Sequence, residues 1–155
     1  MHAGEIRDFL EVLALTPLLV GLCILIEHAI PHLIFVIPPL WISSVLLDIY
    51  TTWRFYRLEP ERFNVNERNA IYAYLVVKFG FKAGSILQFM LVEASSLIVF
   101  AALPIPVLYW FITGRQPSPQ FSLSAAMTLL IAAHLHAAHI NIEFEKGLRR
   151  RIRAE

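Results

Sequence analysis

Three histidines lie close together near the end of the chain, in the run HLHAAHINIEFE. On a helix, steps of three and four residues place one set of side chains on a common face: His136, His139 and Glu143. The remaining histidine, His134, points toward Asn141 and Glu145. Histidines with a carboxylate on one face could ligate zinc or another divalent metal. The same side chains could instead form hydrogen bonds between helices or carry a proton, and no HExxH motif is present.

Asp48 lies in the hydrophobic run LLDIYTTW, and Thr51 and Thr52 follow on the same helix face. A carboxylate inside a bilayer costs about 2.5–3.5 kcal/mol, so we expect its side chain to face other helices or to be neutral. Arg54 or an interfacial lysine is one candidate partner. Alternatively, Asp48 joins the histidines in a metal site, with Asp48 and Glu67 as the candidate catalytic residues.

Glu93 stands near the middle of the next hydrophobic segment, where a charged carboxylate is most costly. We expect it to be neutral and bonded to Gln88, a serine or a histidine. Lys78 and Lys82 lie at the start of this segment, and their long stems can reach the lipid headgroups. Alternatively, one of these lysines turns inward and pairs with Asp48.

The elements that position these residues are predicted to be membrane-spanning helices. Hydrophobic residues make up 57% of the chain and charged residues 16%, whereas a soluble domain has about a quarter charged residues. Four continuous stretches are long enough to span a bilayer: residues 9–26, 33–53, 85–113 and 121–142. The sequence therefore predicts an all-α fold, with residues 1–155 forming a single membrane domain of four transmembrane helices.

The distribution of basic residues predicts the orientation of these spans. With four spans, both termini and the connection over residues 54–82 share one side, which holds 12 of the 13 lysines and arginines. The positive-inside rule then places both termini in the cytoplasm, with the protein in the plasma membrane. The basic tail EKGLRRRIRAE is predicted to attract anionic lipid.

The apolar stretch over residues 70–113 is longer than one span, and two arrangements fit it. The favoured one is an interfacial helix over residues 67–79, followed by a span that starts near Lys82. The other is a single long tilted helix. Gly80 and Gly84 have the GxxxG spacing that permits close contact between helices.

Local signals predict where some of these helices begin and end. Asn64 or Asn66 is predicted to cap the helix that starts near Glu67, since an asparagine side chain accepts from free backbone donors. Pro104 and Pro106 are predicted to kink or end the third span, because proline lacks a backbone donor and clashes with the preceding turn.

The predicted depths place many of the polar residues in the cytoplasmic half of the bundle, and we expect a polar pocket there. Its expected ligand-binding residues are Asp48, Thr52, Asn69, Lys82, Glu93 and Asn141. Its expected metal ligands are His136, His139 and Glu143, with zinc as a possible cofactor.

Three functions fit such a pocket. The first is a binding or accessory membrane protein, whose partner is another membrane protein or a second copy. The second is a metal-dependent enzyme, hydrolase-like, that uses Asp48 and the cluster His134, His136 and His139. The third is a small proton-coupled transporter that acts as an oligomer. The composition excludes a nucleic-acid partner, and Cys23, the single cysteine, excludes an internal disulfide.

The stretch from Asp48 to Lys82 resembles the DUF5658-type small prokaryotic membrane proteins, whose function is unknown. Their pattern has an aspartate and a threonine in one span, then a glutamate and Asn-Pro, then a lysine in the next span. The matching positions here are Asp48, Thr51 or Thr52, Glu67, Asn69, and Lys78 or Lys82. Ala70 replaces the family's proline, and the connection is longer. The resemblance implies a small helical membrane protein and no known activity.

Overall fold

The computed structural model describes Gly21, residues 35–67 and residues 69–154, and the regular elements in these ranges are all helical. They are α1 (Ile37–Tyr56), a 3₁₀ turn (Pro60–Arg62), α2 (Phe63–Asn66), α3 (Ala70–Leu87), a π-helix (Gln88–Glu93), α4 (Ala94–Ala102), α5 (Pro104–Thr113) and α6 (Pro119–Ala154). The all-α prediction is therefore confirmed for this part of the chain. The predicted first span, residues 9–26, lies outside the described residues apart from Gly21.

Two segments of the described chain are long and apolar enough to cross a membrane, Ala70–Thr113 and Pro119–Ala154. They contain two of the four predicted spans, and α1 covers most of a third. α6 alone has 36 residues and a length of about 54 Å. It is therefore longer than the hydrocarbon core of a bilayer, which is about 30 Å thick.

One compact unit of the described chain includes residues 35–42 and Leu97–Ala133. In its described part, Ile105 of α5 is fully buried against Phe121 and Ala126 of α6. The small alanine side chain lets the two helices approach closely, and the large side chains fill the space between them.

A second compact unit consists of Ser43–Ser96 and His134–Glu155. Its apolar core is an aromatic cluster around Phe63 of α2, which is only 1% exposed. The centroid of the Phe63 ring lies 5.6 Å from that of Phe55 in α1 and 6.0 Å from that of Tyr72 in α3. The connection between α1 and α3 is thus anchored by a buried side chain within its charged sequence.

Gly80 divides α3 into two helical segments, residues 70–79 and residues 81–87. Its φ of 79° and ψ of 162° are not helical, and a residue with a Cβ rarely adopts them. The hydroxyls of Tyr72 and Ser85 are 2.6 Å apart, although thirteen residues of straight helix would separate them by about 20 Å.

The two segments of α3 therefore fold back on one another at Gly80. A Cβ built on Gly84 lies 2.8 Å from backbone atoms of Leu75 and Val76, so only glycine fits this contact. The helix break after residue 79 agrees with the sequence prediction. Of the two glycines in the GxxxG spacing, Gly84 makes the close contact, whereas a Cβ built on Gly80 meets nothing within 4 Å.

The other helix ends follow local sequence signals, with one correction. α4 ends at Ala102 and α5 begins at Pro104, because proline cannot donate to the helix before it. The predicted interruption is confirmed. The cap of α3 is Asn69, whose side chain accepts from the backbone N–H of Tyr72 at 3.0 Å. The prediction of Asn64 or Asn66 as the cap was wrong.

The described surface carries many large apolar side chains, including Val77, Ile86 and Phe111. Buried positions in contrast include two carboxylates, Glu93 and Glu145. Water-soluble proteins show the opposite tendency, because charged groups lose hydration when they are buried.

Candidate functional site

His134 of α6 lies between two carboxylates that come from different elements. Its Nδ1 is 2.9 Å from Oδ2 of Asp48 in α1, and its Nε2 is 3.0 Å from Oε2 of Glu93 at the end of the π-helix. The imidazole side chain is 11% exposed, and the Glu93 side chain is also 11% exposed. The three side chains form a carboxylate–imidazole–carboxylate chain that is largely shielded from solvent.

The two short contacts of His134 limit the protonation states that the three side chains can adopt. A neutral imidazole has one N–H donor and one acceptor nitrogen, and an ionised carboxylate only accepts. Both short contacts are hydrogen bonds only if His134 is an imidazolium, or if Asp48 or Glu93 is protonated. In each case the three groups together carry a net charge of −1, with the extra proton shared within the chain.

Besides His134, Asn141 of α6 also contacts the Asp48 carboxylate. Its Nδ2 donates to Asp48 Oδ1 at 3.0 Å, and it also lies 2.9 Å from Oγ1 of Thr52 and 3.3 Å from Oγ1 of Thr51. The Thr51 hydroxyl in turn donates to the backbone oxygen of Asp48 at 2.9 Å. These contacts hold the Asp48 carboxylate in place while one of its oxygens faces His134.

The π-helix brings Gln88 and Glu93 to the same side. In an α-helix, side chains five residues apart point about 140° away from each other, whereas a π-helix places residues i and i+5 one above the other. The Gln88 Nε2 lies 3.4 Å from Glu93 Oε1. The Gln88 Oε1 is buried and has no hydrogen-bond partner among the described residues. Gln88 and His134 both belong to the partners predicted for Glu93.

We call Asp48, Thr51, Thr52, Gln88, Glu93, His134 and Asn141 the His134 cluster. It contains four of the six predicted ligand-binding residues: Asp48, Thr52, Glu93 and Asn141. The other two lie elsewhere, because Asn69 caps α3 and Lys82 is exposed. Glu67, a candidate catalytic residue in the sequence, accepts a hydrogen bond from the backbone N–H of Asn69 at 2.9 Å.

The predicted metal ligands do not form a ligand group. His136 and His139 are exposed, and the Glu143 carboxylate pairs with Lys146 at 2.6 Å. Among the residues that the structure describes, no group of three or more histidine, cysteine, aspartate or glutamate side chains is placed to hold a metal ion. The face of α6 that carries Asn141 and His134 is the buried one.

His134 is the residue whose central position the sequence analysis missed. A signal for it exists in the spacing of the buried side chains of α6, which include Leu130, His134, Ala138, Glu145 and Leu148. Their recurrence at three-, four- and seven-residue intervals marks one helix face. The other two histidines fall outside this series.

A second polar group in the same compact unit surrounds Glu145, whose side chain is 3% exposed. Two nitrogens of Arg54, Nε and Nη2, lie 2.9 and 3.0 Å from its two carboxylate oxygens. Arg149, one turn further along α6, donates from Nε at 2.7 Å. Arg54, a predicted partner of Asp48, therefore pairs with Glu145 instead. We call these three residues the Glu145 cluster.

The described residues form an all-helical structure with two segments long and apolar enough to cross a membrane and with ionisable side chains buried between helices. No protein-family model, curated protein or solved structure matches the chain.

Proposed function

We propose that the chain is a proton-binding integral membrane protein, in which the His134 cluster takes up and releases protons. The observation that carries this proposal is the placement of both His134 ring nitrogens within 3.0 Å of carboxylate oxygens. Such a chain can move a proton from one carboxyl to the other through the imidazole, because each nitrogen can either donate or accept.

The cost of burying these groups supports a role beyond cohesion. Buried ion pairs contribute little net stability, because the loss of hydration offsets their attraction. Ionisable residues within membrane helices usually mark routes for ions, protons or substrates. A pair of apolar side chains at Glu93 and His134 would join the same helices at lower cost.

Proton-coupled transport by an oligomer is the form of this function that we favour. Four helices can line a path through a membrane only marginally, so a second copy would be needed to complete it. A binding or accessory role is the competing proposal. The three contacts that Asn141 makes with α1 favour it, since they join helices whether or not a proton is bound.

The direction of the helices supports the proposed four-span topology. Asp48 contacts Asn141, and Arg54, further along α1, contacts Glu145, further along α6. α1 and α6 therefore run in the same direction. Two such helices in a membrane require the chain between them to return to the first side, and the segment Ala70–Thr113 is long enough to do so.

We place the protein in the plasma membrane, with both termini in the cytoplasm and with anionic lipid at the basic tail. The resemblance to DUF5658-type proteins is part of the same proposal.

Nitrogen NMR of ¹⁵N-histidine-labelled protein in bilayers tests proton binding directly. Across a pH series, the ring-nitrogen signals of His134 are expected to move between the shifts of protonated and unprotonated nitrogens. A His134→Gln variant assigns these signals. A His139→Gln variant is the matched control, because His139 lies on the exposed face of the same helix.

The same preparation distinguishes the two roles. His134 signals that stay constant throughout the pH range in which the protein is folded would overturn proton binding and leave the accessory role. Potential-driven acidification of vesicles containing the wild-type chain, lost in His134→Gln and kept in His139→Gln, would support transport.

A further inference from the structure

The Glu145 cluster carries more positive than negative charge. Arg54 and Arg149 each contribute one positive charge, and Glu145 balances only one of them. A guanidinium has five N–H donors. Arg54 directs two nitrogens at Glu145 and Arg149 directs one, so each guanidinium retains donors that point elsewhere.

These remaining donors are accessible from outside the protein. The side chains of Arg54 and Arg149 are 41% and 50% exposed, although the carboxylate between them is buried. Because both arginines contact the same carboxylate, their guanidinium groups converge on one place. Glu145 therefore fixes two exposed donor groups side by side, which loose surface arginines would not achieve.

Aromatic neighbours indicate the depth of this pair within the proposed membrane arrangement. Tyr50 and Trp53 of α1 are exposed, and the guanidinium of Arg57 lies over the Trp53 ring at 4.6 Å. Exposed tryptophan and tyrosine next to arginine are typical of the headgroup region of a bilayer. Arg54 belongs to the same turn of α1, so the arginine pair lies at that level.

We infer that Arg54 and Arg149 bind the phosphate group of an anionic phospholipid. The planar fork of a guanidinium matches the oxygens of a phosphate and can donate two parallel hydrogen bonds. Two such forks fixed by one buried carboxylate leave one positive charge for one negative headgroup. The inference rests on the proposed membrane location and is independent of proton binding by the His134 cluster.

A specific lipid site and a diffuse basic surface differ in how lipid binding depends on individual arginines. Arg150 is the neighbour of Arg149 on α6 and is exposed, but it takes no part in the contacts of Glu145. Diffuse attraction of anionic lipid weights basic residues near the surface about equally. A site formed by the Glu145 cluster depends on Arg149 far more than on Arg150.

The experiment measures phosphatidylglycerol binding to the full chain in bilayer discs of phosphatidylcholine with a minor fraction of phosphatidylglycerol. Native mass spectrometry counts the retained lipids. We expect Arg149→Gln to weaken binding about tenfold, as the loss of a charge-assisted contact does, and Arg150→Gln to change it little. Arg149→Lys is expected to weaken it as well, since a lysine keeps the charge but lacks the fork.

Glu145→Gln tests whether the buried carboxylate organises the site. It removes the negative charge that fixes the two guanidinium groups, so the difference in lipid binding between Arg149→Gln and Arg150→Gln is expected to disappear when each is combined with Glu145→Gln. A variant that merely disturbs the fold would bind less lipid, and circular dichroism in the discs identifies such a loss of helix.

Three results would overturn the inference. Equal losses in Arg149→Gln and Arg150→Gln would show diffuse attraction. An unchanged difference between Arg149→Gln and Arg150→Gln in a folded Glu145→Gln background would exclude a site organised by Glu145. Equal binding of inorganic phosphate in discs of phosphatidylcholine alone would exclude a lipid as the occupant. Failure of the chain to insert into discs would instead refute the membrane location, and NMR of His134 tests proton binding separately.

Discussion

Replacement of Gly84 with alanine tests the fold-back of α3. This fold-back determines the position of residues 81–87, which lead directly into the π-helix Gln88–Glu93. The added methyl group would lie 2.8 Å from backbone atoms of Leu75 and Val76. Backbone atoms cannot rotate aside as the tip of a side chain can, so the two helical segments must move apart. Excess volume in a close contact costs about 1–3 kcal/mol.

The net effect on stability is smaller than this cost, because alanine favours helix over glycine by up to about 1 kcal/mol. A clash with backbone atoms falls at the upper end of the range for excess volume, about 3 kcal/mol. We therefore expect Gly84→Ala to lower the free energy of unfolding by about 2 kcal/mol. For a chain of this size, each 1 kcal/mol corresponds to about 2–4 °C in Tm. The expected fall in Tm is therefore about 4–8 °C.

The assay is thermal unfolding followed by circular dichroism, with wild type and variants in the same detergent. Gly147→Ala is the matched control, because Gly147 also lies in a helix and a Cβ there meets nothing within 4 Å. Its Tm is expected to rise by about 2–4 °C, since only the helix propensity changes.

A Tm for Gly84→Ala that is equal to or above that of wild type would refute the fold-back. In a straight helix, residue 84 would be far from residues 75 and 76, and alanine there would act as it does at position 147. Opposite signs for the two alanines are therefore the decisive result.

Three further predictions concern buried side chains. Asn141→Leu removes the donor from Asp48 and is expected to cost about 1–3 kcal/mol in thermal unfolding; an unchanged Tm would contradict its role as a support. Glu93→Gln keeps the shape of the side chain, so it is expected to leave Tm within a few degrees of the wild-type value. It is also expected to change the pH response of the His134 ring nitrogens in NMR spectra. A response identical to that of wild type would show that Glu93 does not exchange a proton with His134. Ile105→Ala is expected to cost about 2–5 kcal/mol through an unfilled cavity, and a loss below about 1 kcal/mol would show that this side chain is not tightly packed.

The sequence contains the signals for several local features of this fold. Gly80 and Pro104 interrupt apolar stretches that are otherwise continuous, and the structure has a break at each of them. These positions are predictable because the cause is local: a glycine permits a non-helical backbone, and a proline removes a donor. The buried partners of Glu93 were also predictable, since a carboxyl at that depth needs hydrogen-bonding neighbours.

Other features depend on tertiary pairing and could not be derived from spacing. Both faces of α6 carry histidine and a carboxylate, so spacing alone does not decide whether His134 or the pair His136 and His139 faces the interior. The choice of Glu145 rather than Asp48 as the partner of Arg54 depends on how far α1 and α6 are shifted along each other. The π-helix that ends at Glu93 has about one residue per turn more than an α-helix, and hydrophobic periodicity does not resolve so small a difference.

The two sets of contacts between α1 and α6 also limit how these helices can move. Sliding α6 along α1 by one residue would displace its side chains by about 1.5 Å and turn the next residue through about 100° to reach the same place. Such a step would break the contacts of Asp48 and of Arg54 together. A rearrangement that preserves the contacts of Glu145 must therefore be a tilt of α6 about that end, and such a tilt would displace the imidazole of His134 relative to α1.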